Sequence, residues 1–214
     1  MRMLRIGCVA FTVIILIIVI GFATYMKFGL PWNYIEQKAL LEQAAEEKYG
    51  LDFTMDRVVF ALGHGGEYYG YLADDNDVRF YVGFEEGRFV DSYPMEKWAA
   101  EISDELVPII RAHFPEAQLV VANVASNQYL KDVGHEIPSY KETVSVEVGA
   151  TLKDVVVTDV EAELDRIWLM LKAVEATGAK VGIISINFAN KTLQHRGMRI
   201  VCREELDGLL KDYQ

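Results

Sequence analysis

Residues 67–93 read EYYGYLADDNDVRFYVGFEEGRFVDSY, and the reading of this stretch decides the architecture. Between Asp77 and Phe84, Val78, Phe80, Val82 and Phe84 alternate with Arg79, Tyr81 and Gly83. A period of two places the first set on one face of a strand and the second on the other. Asp74-Asp75-Asn76 and Glu85-Glu86-Gly87 punctuate the stretch as turns, which predicts strands over Glu67–Ala73, Asp77–Phe84 and Arg88–Tyr93. An earlier β-like run, Phe53–Leu62, ends in Gly63-His64-Gly65-Gly66. Connections this short favour an antiparallel meander.

Working outward, Asn33-Tyr34-Ile35-Glu36 reads as an N-cap with a capping-box glutamate, opening a helix that runs to Tyr49 and is closed by Gly50. On the other side Pro94 opens a second helix. Met95, Trp98, Ala99, Ile102, Leu106, Ile109, Ile110 and His113 form its apolar stripe, and Pro108 is expected to kink or split it. The stripe and the aromatic face of the meander are expected to bury one another, giving a helix–meander–helix unit over 32–115.

The remainder, 116–214, reads as a second α+β unit. Leu119–Ala125, Thr143–Val148 and Lys153–Thr158 are strand-like, and 126–140 is polar and irregular. Thr158-Asp159-Val160-Glu161 is a second capping box. The helix after it turns Leu164, Ile167, Trp168, Leu171 and Val174 inward and ends at Gly178. Val181–Phe188 is apolar almost throughout, as a central strand would be. Met198–Cys202 reads as a strand and Glu204–Tyr213 as a terminal helix.

Ahead of both units, residues 1–31 form a short basic start and an anchor. Gly7–Met26, GCVAFTVIILIIVIGFATYM, holds no charge. Twenty residues of helix extend roughly 30 Å, the thickness of a bilayer's hydrocarbon core. Arg2 and Arg5 precede it without any acid, so the positive-inside rule puts the N-terminus in the cytoplasm and the rest of the chain outside. Tyr25, Phe28, Trp32 and Tyr34 cluster at the exit beside Lys27, as in an aromatic belt. The competing reading is a signal peptide cleaved near Gly21-Phe22-Ala23, releasing a secreted protein. The length of the apolar run favours an uncleaved signal-anchor. Cys8 has no apolar region ahead of it, which disfavours a lipoprotein.

The fold class that emerges is α+β: one N-terminal transmembrane helix, then two small antiparallel-sheet units each packed by helices. Charge narrows the partners. Taking Arg2, Arg5 and Lys27 from 21 basic residues leaves 18 against 32 acidic ones, a charge of −14 after residue 27. Such a body is repelled by nucleic-acid phosphates, and nucleic-acid binding is not expected. The expected partners are membrane lipid, through the N-terminal helix, and an envelope protein or peptide.

No motif carries a catalytic, cofactor or metal assignment. His64 sits in a His-Gly-Gly run that can form an oxyanion loop in some hydrolases, but no Gly-x-Ser-x-Gly elbow accompanies it, and a Gly-rich turn is the simpler reading. His113 falls on a helix stripe near the helix end. His135 and His195 read as loop residues. None of the four forms a metal-spaced pair. Asp74-Asp75-Asn76-Asp77 lacks the glycine and closing glutamate of a calcium loop and reads as a solvated turn. Glu46-Glu47, Glu85-Glu86 and Glu204-Glu205 read as exposed acids. Cys202, in an apolar run, reads as a small buried hydrophobe, and Cys8 lies in the span. Asn190-Lys191-Thr192 matches a glycosylation sequon.

The short basic start, the Gly7–Met26 span and the segment Tyr68-Tyr69-Gly70-Tyr71, Asp77-Val78-Arg79-Phe80-Tyr81-Val82, Val90-Asp91-Ser92-Tyr93 and Trp98 resemble the YfjL-like group of small membrane-anchored proteins of Gram-positive bacteria. The same segment is similar to PepSY-type or cystatin-like modules, in which a helix packs on an antiparallel sheet. That resemblance implies a regulatory or binding role and carries no functional residue over. The expected function is therefore a non-enzymatic binding or regulatory module of the cell envelope, anchored by a single pass. The alternatives are an extracytoplasmic hydrolase with an unconventional site, and a small-ligand or cation binder using acidic loops.

Overall fold

The structure is a computed structural model that describes residues 2–61, 67–125, 133–197 and 200–212, without the side chains of 2–12, Phe28 and Pro31. It divides into two compact units, Met1–Tyr93 and Pro94–Gln214. The fold class is the expected one.

In the first unit, α1 (Arg2–Phe28) is a single helix whose described side chains face outward, with Ile17 65% and Ile18 63% exposed. It is long and apolar enough to cross a membrane. The next helix, α2 (Pro31–Tyr49), starts three residues earlier than the Asn33 cap would have it, with Leu30 as N-cap, because Pro31 at the first helical position brings a φ already set for a helix. Gly50 closes it as expected, its N–H donating to the Glu46 carbonyl at 2.7 Å. Four strands follow as an antiparallel meander in sequence order: β1 (Thr54–Ala61), β2 (Glu67–Ala73), β3 (Arg79–Glu85) and β4 (Arg88–Asp91). The expected alternation holds. Phe80 and Val82 are buried, and with Leu72 and Val58 they form the face that meets Leu41, Ala45 and Tyr49 of α2. Tyr49, Phe53, Phe80 and Tyr93 close this core as a ring cluster with centroids 4.6–6.2 Å apart, edge-to-face except for the tilted Phe80–Tyr93 pair.

In the second unit, α3 (Tyr93–His113) is one helix with Pro108 inside it, so of the expected kink or split the split does not occur. Its stripe is read correctly, since Trp98, Ile102, Leu106 and Ile110 are fully buried. The expected partner is corrected. The stripe belongs to the core of the second unit, with Val146, Val148, Ile184 and Ile186 from the sheet and Leu164, Ile167 and Val174 from a further helix. The compact units accordingly part at Tyr93/Pro94, not at residue 115.

That sheet has the order β5 (Leu119–Val124), β6 (Val146–Leu152), β7 (Val181–Phe188), β8 (Lys191–Arg196), β9 (Leu210–Asp212). All pairs are antiparallel except β6 with β7, which are parallel and joined through α5 (Val160–Ala176). A parallel pair needs such a crossover. Val181–Phe188 is central, as its apolar run foretold.

Several local expectations are corrected. The N-cap of α5 is Asp159, which accepts from the Ala162 N–H at 3.1 Å, one residue beyond Thr158. Trp168 is half-buried under Lys172, and Met170 takes an inward place. Tyr140–Thr143 is a short helix, α4, and Lys153–Thr158 is not a strand. Ile200–Cys202 is not a strand either, and Met198 and Arg199 lie outside the described residues. The C-terminus is a short 3-10 helix (Arg203–Leu206) and then β9, because Gly208 at φ +77° turns the chain where a helix would have continued.

The second unit also has a pH-sensitive tie. Burial alone would raise the Glu105 pKa, but Lys141 (Nζ to Oε1, 2.7 Å) and the Tyr140 hydroxyl both donate to its carboxylate and hold it below the usual range. A depressed carboxylate stabilises the fold above its unfolded pKa, and that contribution is lost as pH falls through the folded one. Glu105→Gln is therefore expected to flatten the acid limb of a stability–pH profile below about pH 4, where free Glu titrates, and to change stability least at the acid end. An unchanged acid limb in urea melts would refute the tie.

Candidate interaction face

The face of the first sheet opposite α2 is built by the same alternation that builds its core. Registers Arg57↔Tyr71, Val59↔Tyr69, Tyr71↔Tyr81 and Tyr69↔Gly83 bring Arg57, Tyr69, Tyr71 and Tyr81 onto one surface. The three phenol rings touch one another: Tyr69–Tyr81 centroids lie 5.7 Å apart, Tyr71–Tyr81 6.2 Å and Tyr69–Tyr71 6.4 Å. The Arg57 guanidinium sits 4.8 Å over the Tyr71 ring. Gly83 supplies the floor, since a Cβ there would come within 2.7 Å of the Tyr81 hydroxyl. All three tyrosines are half-buried, mainly in each other. Burial and the nearby Glu85 carboxylate push the Tyr81 phenol above its ordinary pKa, so it stays protonated and able to donate. The surface offers fixed rings, hydroxyl donors and acceptors, and a guanidinium, with Glu67 and Glu85 at its margins.

His64 is outside the described residues. His113 is half-buried in the last turn of α3, with Nδ1 3.0 Å from the Ile109 carbonyl. His135 is exposed. His195 is not in a loop but on β8, opposite Ile184, where it lines a small recess with Leu171, Glu175, Val181, Gly182 and Ile200. Cys202 is exposed, against the expectation of burial, and a hydrogen bond with Glu204 raises its thiol pKa, the opposite of an activated thiolate. Among the described residues no group of three or more His, Cys, Asp or Glu side chains is placed to hold a metal.

Two acidic or polar motifs have structural roles. Asp74 accepts from the Asn76 and Val78 N–H groups, both at 2.9 Å, and from the Tyr93 hydroxyl at 3.0 Å, so it organises the β2–β3 turn as a turn residue does. Asn190 of the sequon is half-buried and bridges to Val157 twice, accepting from its N–H at 2.8 Å and donating to its carbonyl at 3.1 Å.

One further contact joins α1 to the sheet. The turn between α1 and α2 is Gly29-Leu30. Gly29 has φ +66°, and a Cβ on it would lie 2.0 Å from the Tyr68 hydroxyl and 3.1 Å from the Phe60 ring. Tyr25 packs on Phe60 at 5.8 Å. Gly29→Val combines a left-handed backbone, costing roughly 1–2 kcal/mol for an L-residue, with displacement of Tyr68. Its expected result is faster proteolysis between residues 28 and 32, and an unchanged cleavage rate would refute it.

Compared with known proteins, the chain matches no family model, no curated protein and no solved structure.

Proposed function

We propose that the chain is a single-pass membrane protein, N-terminus in the cytoplasm, whose outer region is a non-enzymatic binding module of the cell envelope. On this reading the tyrosine face receives an extended segment of a protein partner. The observation that carries it is the convergence of Tyr69, Tyr71, Tyr81 and Arg57 on the sheet face opposite α2. Tyrosine gives large contact area at small entropic cost, and tyrosine and arginine dominate binding hot spots. An extended segment suits a pleated surface whose side chains repeat every second residue. The resemblance of the sequence segment 68–98 to PepSY-type modules favours the same role.

The test replaces Tyr71 or Tyr81 by a photo-crosslinking phenylalanine analogue in the native membrane, with Glu46 on α2 as the control position. A discrete protein adduct is expected from the face and not from Glu46. Tyr69→Ala and Tyr71→Ala are each expected to weaken the identified complex by roughly 2 kcal/mol, about 30-fold in affinity. Adducts from Glu46 alone, or binding unchanged in both alanine variants, would overturn the assignment. Protease added to intact protoplasts is expected to remove the region after residue 31, and full protection would overturn the orientation.

A further inference from the structure

The outward side of α2 changes character along its length. Its inward residues, Leu41 and Ala45, are fully buried. Trp32 lies nine residues before Leu41, which at about 100° per residue is the opposite side of the helix. There Trp32 is 65% and Ile35 69% exposed, and Ala39 continues the same side one turn on. Leu40 beside it is exposed too, as are Glu36 and Lys38, and beyond Leu40 the exposed residues of the helix are Gln43, Glu46 and Glu47. The exposed large apolar side chains thus fall within residues 30–40, where Glu36 and Lys38 are interspersed, while the last two turns expose only Gln43, Glu46 and Glu47; Trp32 and Glu46 are separated by roughly 20 Å at 1.5 Å per residue. A helix lying on a core has its apolar side along its whole length, so this gradient along the axis needs a different cause.

Three observations identify the medium. The apolar end is the end attached to α1, and only Gly29 and Leu30 intervene. Leu30 is itself exposed, while its carbonyl is 3.4 Å from the Tyr68 hydroxyl, so it is fixed to the sheet. Gly29 is buried and a side chain there would run into Tyr68 and Phe60, so the turn between α1 and α2 lies close against the sheet. Tryptophan is the residue that accumulates at the boundary between hydrocarbon and water, whereas acids are repelled by anionic headgroups.

We infer that Leu30, Trp32 and Ile35 are a lipid-contact surface: the first turn of α2 is immersed in the outer interface of the bilayer, and the first unit is seated on the membrane by it. This rests on the reading of α1 as a membrane span. The seat makes a defined joint, so the tyrosine face stands at a fixed height above the lipid and does not swing on a tether.

The test uses the full chain with Cys8→Ser and Cys202→Ser, reconstituted in vesicles of phosphatidylcholine and phosphatidylglycerol. A nitroxide is placed at Ile35→Cys, at Ala39→Cys or at Glu46→Cys, all exposed positions whose replacement leaves the core alone. Collision rates with oxygen and with a water-soluble nickel chelate give depth. At position 35 the oxygen-to-nickel ratio is expected to be several-fold higher than at position 46, with position 39 between them. Equal, water-like ratios at 35 and 46 in chains that resist carbonate extraction would overturn the seat and leave the span intact. Release of the chain by carbonate would overturn the span and the seat together.

Discussion

Trp98→Ala is expected to destabilise the second unit by about 3–5 kcal/mol, the range for removing a large aromatic from a packed core. Trp98 is fully buried as the first of the fully buried residues of the α3 stripe, followed at helical spacing by Ile102 and Leu106. It also has a polar duty, since its indole N–H donates to the Pro138 carbonyl at 2.8 Å. Truncation therefore opens a cavity and leaves that carbonyl without its donor, and the two losses add. Trp98→Phe separates them. It restores most of the apolar volume and not the hydrogen bond, so it should lose less than half as much. A 3–5 kcal/mol loss is a large part of the 5–15 kcal/mol that holds a typical domain. Urea melts of the full chain in detergent are the measurement, followed by near-ultraviolet circular dichroism. A shift below about 1 kcal/mol in Trp98→Ala would mean that the stripe does not carry the core.

The packing partner of Trp98 shows where sequence reading stops. A stripe at 3/4 spacing says that a helix buries one side, and Trp98, Ile102, Leu106 and Ile110 do so. It does not say against which sheet, because either apolar sheet face satisfies the same need. Proximity in the chain favoured the meander, and tertiary packing chose the other sheet. Strand β8 was missed for a related reason. Lys191-Thr192-Leu193-Gln194-His195-Arg196 puts only Leu193 fully inside, so its period-two signal is one residue deep. The meander was legible because its alternation is long and each of its three turn segments is marked by Gly, or by Asp and Asn.

The tyrosine face was half legible. Alternation alone sets Tyr81 on the side opposite Phe80 and puts Tyr69 and Tyr71 on a common side of their own strand. Whether those two sides coincide depends on the register across the β2–β3 turn. Asp74 fixes it by receiving the N–H groups of Asn76 and Val78, so that Tyr71 falls opposite Tyr81. A turn four residues long was visible in the sequence, but its hydrogen bonding was not. Cys202 failed for another reason. Its apolar neighbours suggested a strand, but Val201 is 70% exposed, and the segment leads only into the 3-10 turn.

The second large effect is expected at Asp91, a residue whose importance nothing in the sequence marked. It ends β4 in the segment Val90-Asp91-Ser92-Tyr93, and its side chain is 1% exposed. One carboxylate oxygen lies 3.0 Å from Lys48 Nζ, and the other accepts from the Tyr49 hydroxyl at 2.7 Å and the Tyr93 N–H at 3.0 Å. These contacts tie the last turn of α2 to the end of the meander, beside the Tyr49–Tyr93 ring contact at 4.9 Å. A buried carboxylate is costly to desolvate, and what justifies it here is that each oxygen is used. Removing one member of a buried ion pair typically costs 3–5 kcal/mol, because the remaining charge stays partly buried. Lys48 keeps 22% exposure, so water recovers some of the loss, and Asp91→Ala is expected near the lower end, at about 3 kcal/mol. Asp91→Asn retains an acceptor of the same shape and should lose roughly half of that, the share owed to charge-assisted bonding. Lys48→Met, which removes the cation and keeps the stem, should cost less than Asp91→Ala, and the double variant less than the two single losses added. Strict additivity in that cycle, or a loss below about 1 kcal/mol in Asp91→Ala, would mean that α2 is held to the sheet by its apolar face alone.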